Sequence, residues 1–485
     1  MRNTTILLLI ILMIQSVVVL AQREYIIDTD DRMNFYNIHV DLNGNFVAIF
    51  NLDSLDWNFR GGILKFDDYF NYDMYVHGND STYYKFLDFQ VTDDNNYLIG
   101  GSVGDNTGWG MQNKTVYFLL LDENLNVLNE AFLPLPEPYK NPSIRMFTNT
   151  DGRIYATIDE ASNGLKGVLE LSSGGEILRE KLYPNTGAPI MDIFPGNEPG
   201  FYLFRSNPVA WAEGGITVVD SDLNFDTTYL FPMSVNGISY RMGTRGNCKW
   251  LNDTTYILAS EGKQPTSPTS DLHIYKINSN HEFLTEPFVI GRDEYYENAA
   301  NYRCIDWHDP QIIYVAGFVW ASNQYATPGF VAVINEEFNL LGWKSIGGDY
   351  NIGINSLIAT PDGRCVMVGS RRDYHAGIPH DLDGYIVFLH PEDIITSVVE
   401  TAGYSNMSDY SLFPNPGTDI LNIQTARKGV ALHIYDRSGR TVLQQKLDDA
   451  FHSRIDVSHL PAGFYICQLT DKYGFTEHIK WIKKQ

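Results

Sequence analysis

Basic charge is scarce in this chain. Lys and Arg number 35 against 59 Asp and Glu, for a formal net charge of −24. Nucleic acid needs a basic surface against its phosphates, so that class of partner is excluded. Cysteine is scarcer still: Cys248, Cys304, Cys365 and Cys467 are the only four. That is too few for a disulfide-built scaffold, and without a C-x-x-C spacing a zinc site has no support. Cys248 and Cys304 fall at equivalent points of adjacent repeats; a bridge between them is conceivable, and buried free thiols are the plainer expectation. After Leu20 no stretch approaches the 18 apolar residues of a membrane-spanning helix.

A core, by contrast, is well supplied. Apolar residues make up 44% of the 485, and 30 Tyr with 26 Phe favour strands over helices. The charge is uneven. From Ser405 to Gln485 ten Lys/Arg stand against eight Asp/Glu. The chain's −24, less this +2 and the +1 of Arg2, leaves −27 for residues 22–404. An acidic body and a slightly basic tail point to separate domains, and the acidity points to neutral glycans or basic protein surfaces as partners.

The N-terminus reads as a secretory leader. Arg2 precedes an apolar run from Ile6 to Leu20, and Val19 and Ala21 are the small residues before a cut at Gln22. The expected signal peptide is residues 1–21. A membrane anchor is the alternative, and the run is short for one.

The body repeats. Tight polar turns, each followed by an apolar strand, recur at residues 44, 95, 152, 197, 253, 309 and 363, with gaps of 45 to 57 residues. Asp41-Leu42-Asn43-Gly44-Asn45 and Pro361-Asp362-Gly363-Arg364 are examples; Gly and Asn tolerate the positive φ of such turns. A second hairpin follows in each unit, as in Val116–Asp122 with Asn126–Leu128. Seven units of four strands resemble a β-propeller, a closed ring of seven blades that leaves few exposed edges. A pair of β-sandwiches is the alternative, and the regular spacing favours the ring. Glu24–Ile27 is expected to complete the last blade. The fold class is therefore all-β: a propeller over residues 22–392, a linker over 393–410, and a small β-sandwich over 411–485.

The sandwich carries an ordered set of motifs. Phe413 leads into Pro414-Asn415-Pro416; Tyr435-Asp436 is followed by Gly439-Arg440; Leu460-Pro461-Ala462-Gly463 leads to Tyr465; and the end holds Lys480, Lys483 and Lys484. This tail resembles the type A C-terminal sorting domain of type IX secretion cargo in Bacteroidetes. Phe413 stands where that family usually has Tyr. The resemblance implies export to the periplasm, partnership with the type IX translocon and attachment machinery through residues 411–485, and surface attachment or release. It implies nothing about the body.

Candidates for chemistry are weak. Gly100-Gly101-Ser102-Val103-Gly104 matches G-x-S-x-G, but a nucleophile elbow needs a strand running into a helix. Val368-Gly369-Ser370 sits at the same point of the seventh unit, so both read as repeat punctuation. Asp220–Asp226 starts like a calcium loop but lacks its Gly and closing Glu; sister segments Asp122–Asn126 and Asn335–Asn339 make it a hairpin turn. His375, His380 and Asp381 share one loop and read as a solvated loop rather than a metal set. No catalytic residue, metal or cofactor is therefore assigned. The remaining candidate is positional. The longer loops joining second and third strands hold Trp57, Trp109, Trp211 and Trp320, with Tyr374 in the seventh unit. Connections between units add Tyr83, Tyr84, Tyr139, Tyr295, Tyr296 and Tyr350. All would emerge on one face, where aromatic rings suit a sugar or a protein partner. Inward plugs between blades are the competing use of those rings. The reading favoured here is a binding module; a glycan- or peptide-active enzyme and a structural envelope component are the alternatives.

Overall fold

The computed structural model describes residues 23–484 except 30, 54–58, 79–81, 106–111, 150, 161–163, 185–187, 197–199, 207–213, 233, 236–237, 240, 264–269, 292–295, 321–326, 348–349, 374–381, 396–409, 426–429, 438, 448–451 and 471–475. The leader and residues 396–409 of the expected linker lie outside the described residues; residues 393–395 pack on the ring, with Ile394 buried in one of its core clusters and Ile395 bridged to Gly342.

Seven antiparallel sheets of the expected kind form the body. Blade 1 runs Arg32–Val40, Phe46–Asp53, Phe59–Phe66, Tyr72–His77. Blade 2 starts at Thr82–Val91 and Tyr97–Asp105, blade 3 at Ser143–Thr148 and Ile154–Glu160, and blade 4 at Ile190–Pro195 and Gly200–Ser206. Blade 5 starts at Arg241–Asn252 and Thr255–Lys263, and blade 7 at Tyr350–Ala359 and Cys365–Asp373. Blade 6 departs from the repeat. Its inner strand is split into Tyr296–Ala299 and Ile305–Asp306, both paired with Ile313–Trp320. Arg23–Ile27 pairs antiparallel with Leu382–Leu389 as the outer strand of blade 7, so the N-terminal strand closes the ring as expected. Side chains of blades 1 and 7, including Phe35, Phe46, Val366 and Phe388, share one buried cluster across that closure.

Six of the seven turns fall where the repeat placed them, between inner and second strands; the turn marked at Asn197 lies outside the described residues. Gly44, Asn95, Gly152 and Gly363 have φ between 60° and 85°, the left-handed region that Gly and Asn tolerate. The third-to-fourth strand turns use a different solution. Leu125, Leu223 and Phe338 take φ of 62–64° although they are apolar. Leu125 and Leu223 are buried, and Phe338 is half-buried against Phe288, so packing offsets the backbone strain. Asp220 accepts the Asp222 and Asn224 N–H groups at 2.9 and 2.7 Å, which makes that segment the hairpin turn it was read as.

Ser102 is buried in the middle of a continuous strand. A Cβ on neighbouring Gly101 would fall on the Lys85 carbonyl, and one on Gly369 on that of Gly353. These glycines make room for bulges in the facing inner strands, between Phe86 and Asp88 and between Ile354 and Ser356. The G-x-S match is thus a packing requirement of the blade. All four cysteines are free and buried.

The tail forms two facing sheets of three and four strands. Trp481, fully buried, anchors their shared core with Leu432, Ile434 and Leu469.

Candidate functional site

Four of the five aromatic candidates, Trp57, Trp109, Trp211 and Tyr374, lie outside the described residues, as does Tyr295. Trp320 ends the second strand of blade 6, and its side chain is likewise outside the description. Of the connection aromatics, Tyr296 is exposed and Tyr84, Tyr139 and Tyr350 are half-buried. Tyr83 corrects the expectation of a surface ring: it is 2% exposed and packs edge-on against Phe59 at 4.7 Å.

The structure gathers polar chemistry at the centre of the ring instead. Inner-strand bulges lift Tyr36, Leu87, Met191 and Asn355 out of the ladder. Next to them a belt of side chains ties each blade to the following one. Asn37 Nδ2 donates to Asp88 Oδ1 at 2.6 Å, and the Met146 N–H donates to Asp88 Oδ2 at 2.8 Å. Asp159 accepts the Ile190 N–H, Asp192 the Cys248 N–H, Asn247 the Cys304 N–H and Asp306 the Ala359 N–H, at 2.6–2.9 Å. Ser356 Oγ donates to Asn37 Oδ1 at 2.7 Å and completes the circuit. Burial raises the pKa of Asp88 and pushes that of Asp192 up to about 7, although each accepts backbone N–H groups.

Residues 300–304, between the two pieces of the split strand, reach inward. The Tyr302 N–H donates to the Asn355 carbonyl at 2.8 Å, and Arg303 Nη1 reaches the Ile38 carbonyl at 3.4 Å. Arg145 of blade 3 donates to the Asn301 carbonyl at 2.9 Å and lies over the Tyr302 ring at 4.1 Å. Arg245 of blade 5 donates to Asn301 Oδ1 at 2.5 Å. Tyr302 meets Tyr36 with ring centres 5.3 Å apart, and the Lys85 ammonium lies 5.9 Å from the Tyr36 ring centre. Tyr36, Lys85, Arg145, Arg245, Tyr302 and Arg303 are all half-buried. The centre is therefore rich in cationic donors and aromatic faces. Net charge points the other way because many of the acids sit elsewhere: seven occupy the described inner-to-second strand turns and ten the third-to-fourth turns, against two Arg.

Sequence reasoning missed this centre. A signal was present, since Asn37, Asp88, Arg145, Tyr302 and Ser356 each lie seven residues before a turn marker.

In the tail, the motif residues hold the domain together. Asn415 Nδ2 donates to the Lys480 carbonyl at 2.7 Å, and Asn415 Oδ1 accepts the Ile482 N–H at 3.0 Å. Trp481 Nε1 donates to the Pro414 carbonyl at 3.0 Å. Lys483 is buried and donates to the carbonyls of Val457 and Ser458 at 2.7 and 3.1 Å. Tyr465 Oη donates to the Pro461 carbonyl at 2.6 Å, and Leu460 is buried. Gly439 turns at φ 79°, the Asn415–Pro416 peptide is cis, Gly463 pairs with Lys483, and the Lys484 N–H donates to the Gly417 carbonyl at 2.7 Å.

No curated protein matches the chain. Among solved structures it is similar to a protein of unknown function from Dyadobacter fermentans, at 11% identity over 76% of this chain and 99% of that one, TM-score 0.43. It is also similar to the β-propeller domain of the Trilobed protease from Pyrococcus furiosus, at 11% identity over 72% and 94%, TM-score 0.40. A third likeness is prolyl oligopeptidase B from Galerina marginata, at 12% identity over 70% and 46%, TM-score 0.39. Residues 411–484 match the secretion system C-terminal sorting domain, and a tail of that kind implies export to the cell surface or the extracellular space.

Proposed function

We propose that the ring is a non-enzymatic binding module of the exported protein, taking a glycan or protein partner at the ring centre and the surrounding loops. One observation carries this reading: five blades deliver half-buried cations and tyrosines, Tyr36, Lys85, Arg145, Arg245 and Tyr302, to one place. Such groups combine ring faces with directional donors, a pairing suited to polar ligands. Trp57, Trp109, Trp211, Trp320 and Tyr374 extend the same surface in this reading. The leader over residues 1–21 and the segment 393–410 are assigned as a cleaved signal peptide and a linker, with residues 411–485 engaging the translocon and attachment machinery. The second reading, a glycan- or peptide-active hydrolase or lyase, draws on Glu261, whose pKa burial raises beside Arg245.

The test is binding. The secreted chain is presented to a glycan array and to envelope extracts, beside Tyr36→Ala and Trp211→Ala variants whose melting is checked. A ligand lost in folded variants supports the module. No ligand for the parent, or unchanged binding in both variants, overturns it, and turnover of an arrayed polymer favours the enzyme.

A further inference from the structure

Lys85 stands apart from the other cations of the ring centre. Arg145 donates to two carbonyls, of Met191 and Asn301, and Arg245 pairs with Glu261 at 3.3 Å. Arg303 reaches the Ile38 carbonyl and His39. The Lys85 ammonium has neither a hydrogen bond nor a carboxylate among the described residues; its recorded neighbour is the Tyr36 ring. Desolvation lowers its pKa, with no anion to oppose that effect. Burial of an uncompensated ammonium is costly, and a lysine whose only task was packing would extend to water.

The position is built by the fold. Lys85 lies on the inner strand of blade 2, paired with Ser102, two residues before the bulge at Leu87. Gly101 lets the second strand approach the Lys85 carbonyl closely. Tyr36 is raised by its own bulge in blade 1. The two therefore meet across a blade seam as a cation beside a half-buried aromatic ring. Beyond Tyr36 lies Tyr302, and on Tyr302 lies Arg145, whose Nη1 makes no hydrogen bond among the described residues. Many of the acids that make the body anionic are in the tight turns, where several are taken up by backbone N–H groups; Asp53, at the far end of its strand, is the acid that acts on Tyr36. Asp41 accepts the Asn43 and Asn45 N–H groups, and Asp122 those of Asn124 and Asn126.

We propose that the ring centre binds an acidic glycan, the sugar ring lying against Tyr36 and its carboxylate meeting the Lys85 ammonium. This rests on the reading of the ring as a binding module and names its ligand class. A neutral sugar would leave the ammonium uncompensated; a simple anion would leave the tyrosine pair unused. Carboxylate on ammonium is a charge-assisted contact and is strengthened by the half-buried setting.

The experiment compares polygalacturonate with the same polymer fully methyl-esterified, which keeps the backbone and removes the charge. Polyglutamate and free galacturonate are the further arms, all by calorimetry on the secreted chain. The expected result is binding of polygalacturonate that weakens with salt, at least tenfold weaker binding of the methyl ester and of polyglutamate, and detectable binding of free galacturonate. Lys85→Gln should weaken polygalacturonate by about tenfold or more, and Lys85→Arg should retain most of it. The Lys85 ammonium holds no hydrogen bond among the described residues, so neither variant should melt below the parent. Equal affinity for acid and ester overturns the inference, and if Tyr36→Ala weakens both, the binding module survives without it. Equal affinity for polyglutamate replaces the glycan with an acidic peptide and overturns it. Unchanged affinity in Lys85→Gln, or no binding of any probe, also overturns it.

Discussion

The two polar regions of the ring use charge in opposite ways. At the turn end, carboxylates other than the buried Asp41 are at least partly exposed, and they serve the backbone. Asp67, Asp122 and Asp220 each accept the side-chain amide of the Asn four residues on and two backbone N–H groups of their own turn, and those bonds, the side-chain amide first, lower their pKa values. At the centre, Asp88 and Asp192 also accept N–H groups, but burial wins and their pKa values rise. The same side-chain chemistry makes a local turn in one place and ties blades together in the other. The total charge of the body therefore reports turn construction. It says little about which ligand the centre would accept.

The comparison breaks most sharply on removal of one carboxylate from each region. Asp88→Ala strips partners from Asn37 Nδ2 and from the N–H groups of Phe89 and Met146. Buried donors left unpaired in three places should cost about 3–5 kcal/mol. Asp122→Ala leaves three donors that water reaches, the Asn124 and Asn126 N–H groups and Asn126 Nδ2, and should cost about 1 kcal/mol or less. Urea titrations of the two variants measure both; similar losses would mean that the belt does not hold the ring.

Much of this architecture was legible in the sequence. The turns could be read because Asp, Asn and Gly at 41–45 and 360–364 answer a local requirement, a positive φ and N–H acceptors, that composition records directly. The closing strand Arg23–Ile27 could be read because blade 7 lacked a partner after Leu389. The bulges could not. A bulge depends on how two strands register, so Tyr36 and Asn355 look like ordinary strand residues until their partners are known. Gly101 and Gly369 are its visible trace, and repeat spacing alone does not tell them from punctuation. The inward reach of residues 300–304 was hidden for a similar reason: the turn at His308-Asp309-Pro310 follows the repeat, while the strand before it is broken. In the tail, the order of Pro414, Asn415, Lys483 and Trp481 gave the family, but only the structure shows that Asn415 and Lys483 stitch strand to strand.

Proton linkage sharpens the comparison at intermediate size. The folded pKa of Asp192, about 7, lies above that of an unfolded Asp. Between those values the folded state binds the extra proton, so this group's contribution falls as pH rises toward 7 and is flat beyond. The turn carboxylates have the opposite sign: their contribution is present above the usual Asp pKa and is lost as pH falls through their lowered values. Buried His39 and His273, whose pKa values are lowered, also lose stability in acid, so a single melting curve mixes the groups. The difference between Asp192→Asn and the parent cancels the others. The variant should gain on the parent by about 2 kcal/mol between pH 5 and pH 8. A difference independent of pH would place Asp192 in the ionised state throughout and remove the contrast between the two regions.

The smallest expected effect concerns what stabilises the turn end if its acids contribute little. In the turn of blade 4, Leu223 sits at φ 62° with 2% of its surface exposed, while Asp222 beside it is in solvent. Replacing Leu223 by Gly relieves left-handed strain of about 1–2 kcal/mol. It also forfeits about 1.5–3 kcal/mol of burial and loosens the unfolded chain. These opposing effects leave a net loss of about 1 kcal/mol. Asp222→Asn removes a charge whose nearest cation, Arg179, is 3.8 Å away at the surface, and should change stability by less than about 0.5 kcal/mol. Thermal melts of the two variants at neutral pH decide between them. A larger loss for Leu223→Gly means that the turns are held by the apolar residue tucked under them, with the acids merely capping N–H groups. A larger loss for Asp222→Asn would return the stability of that end to its charges.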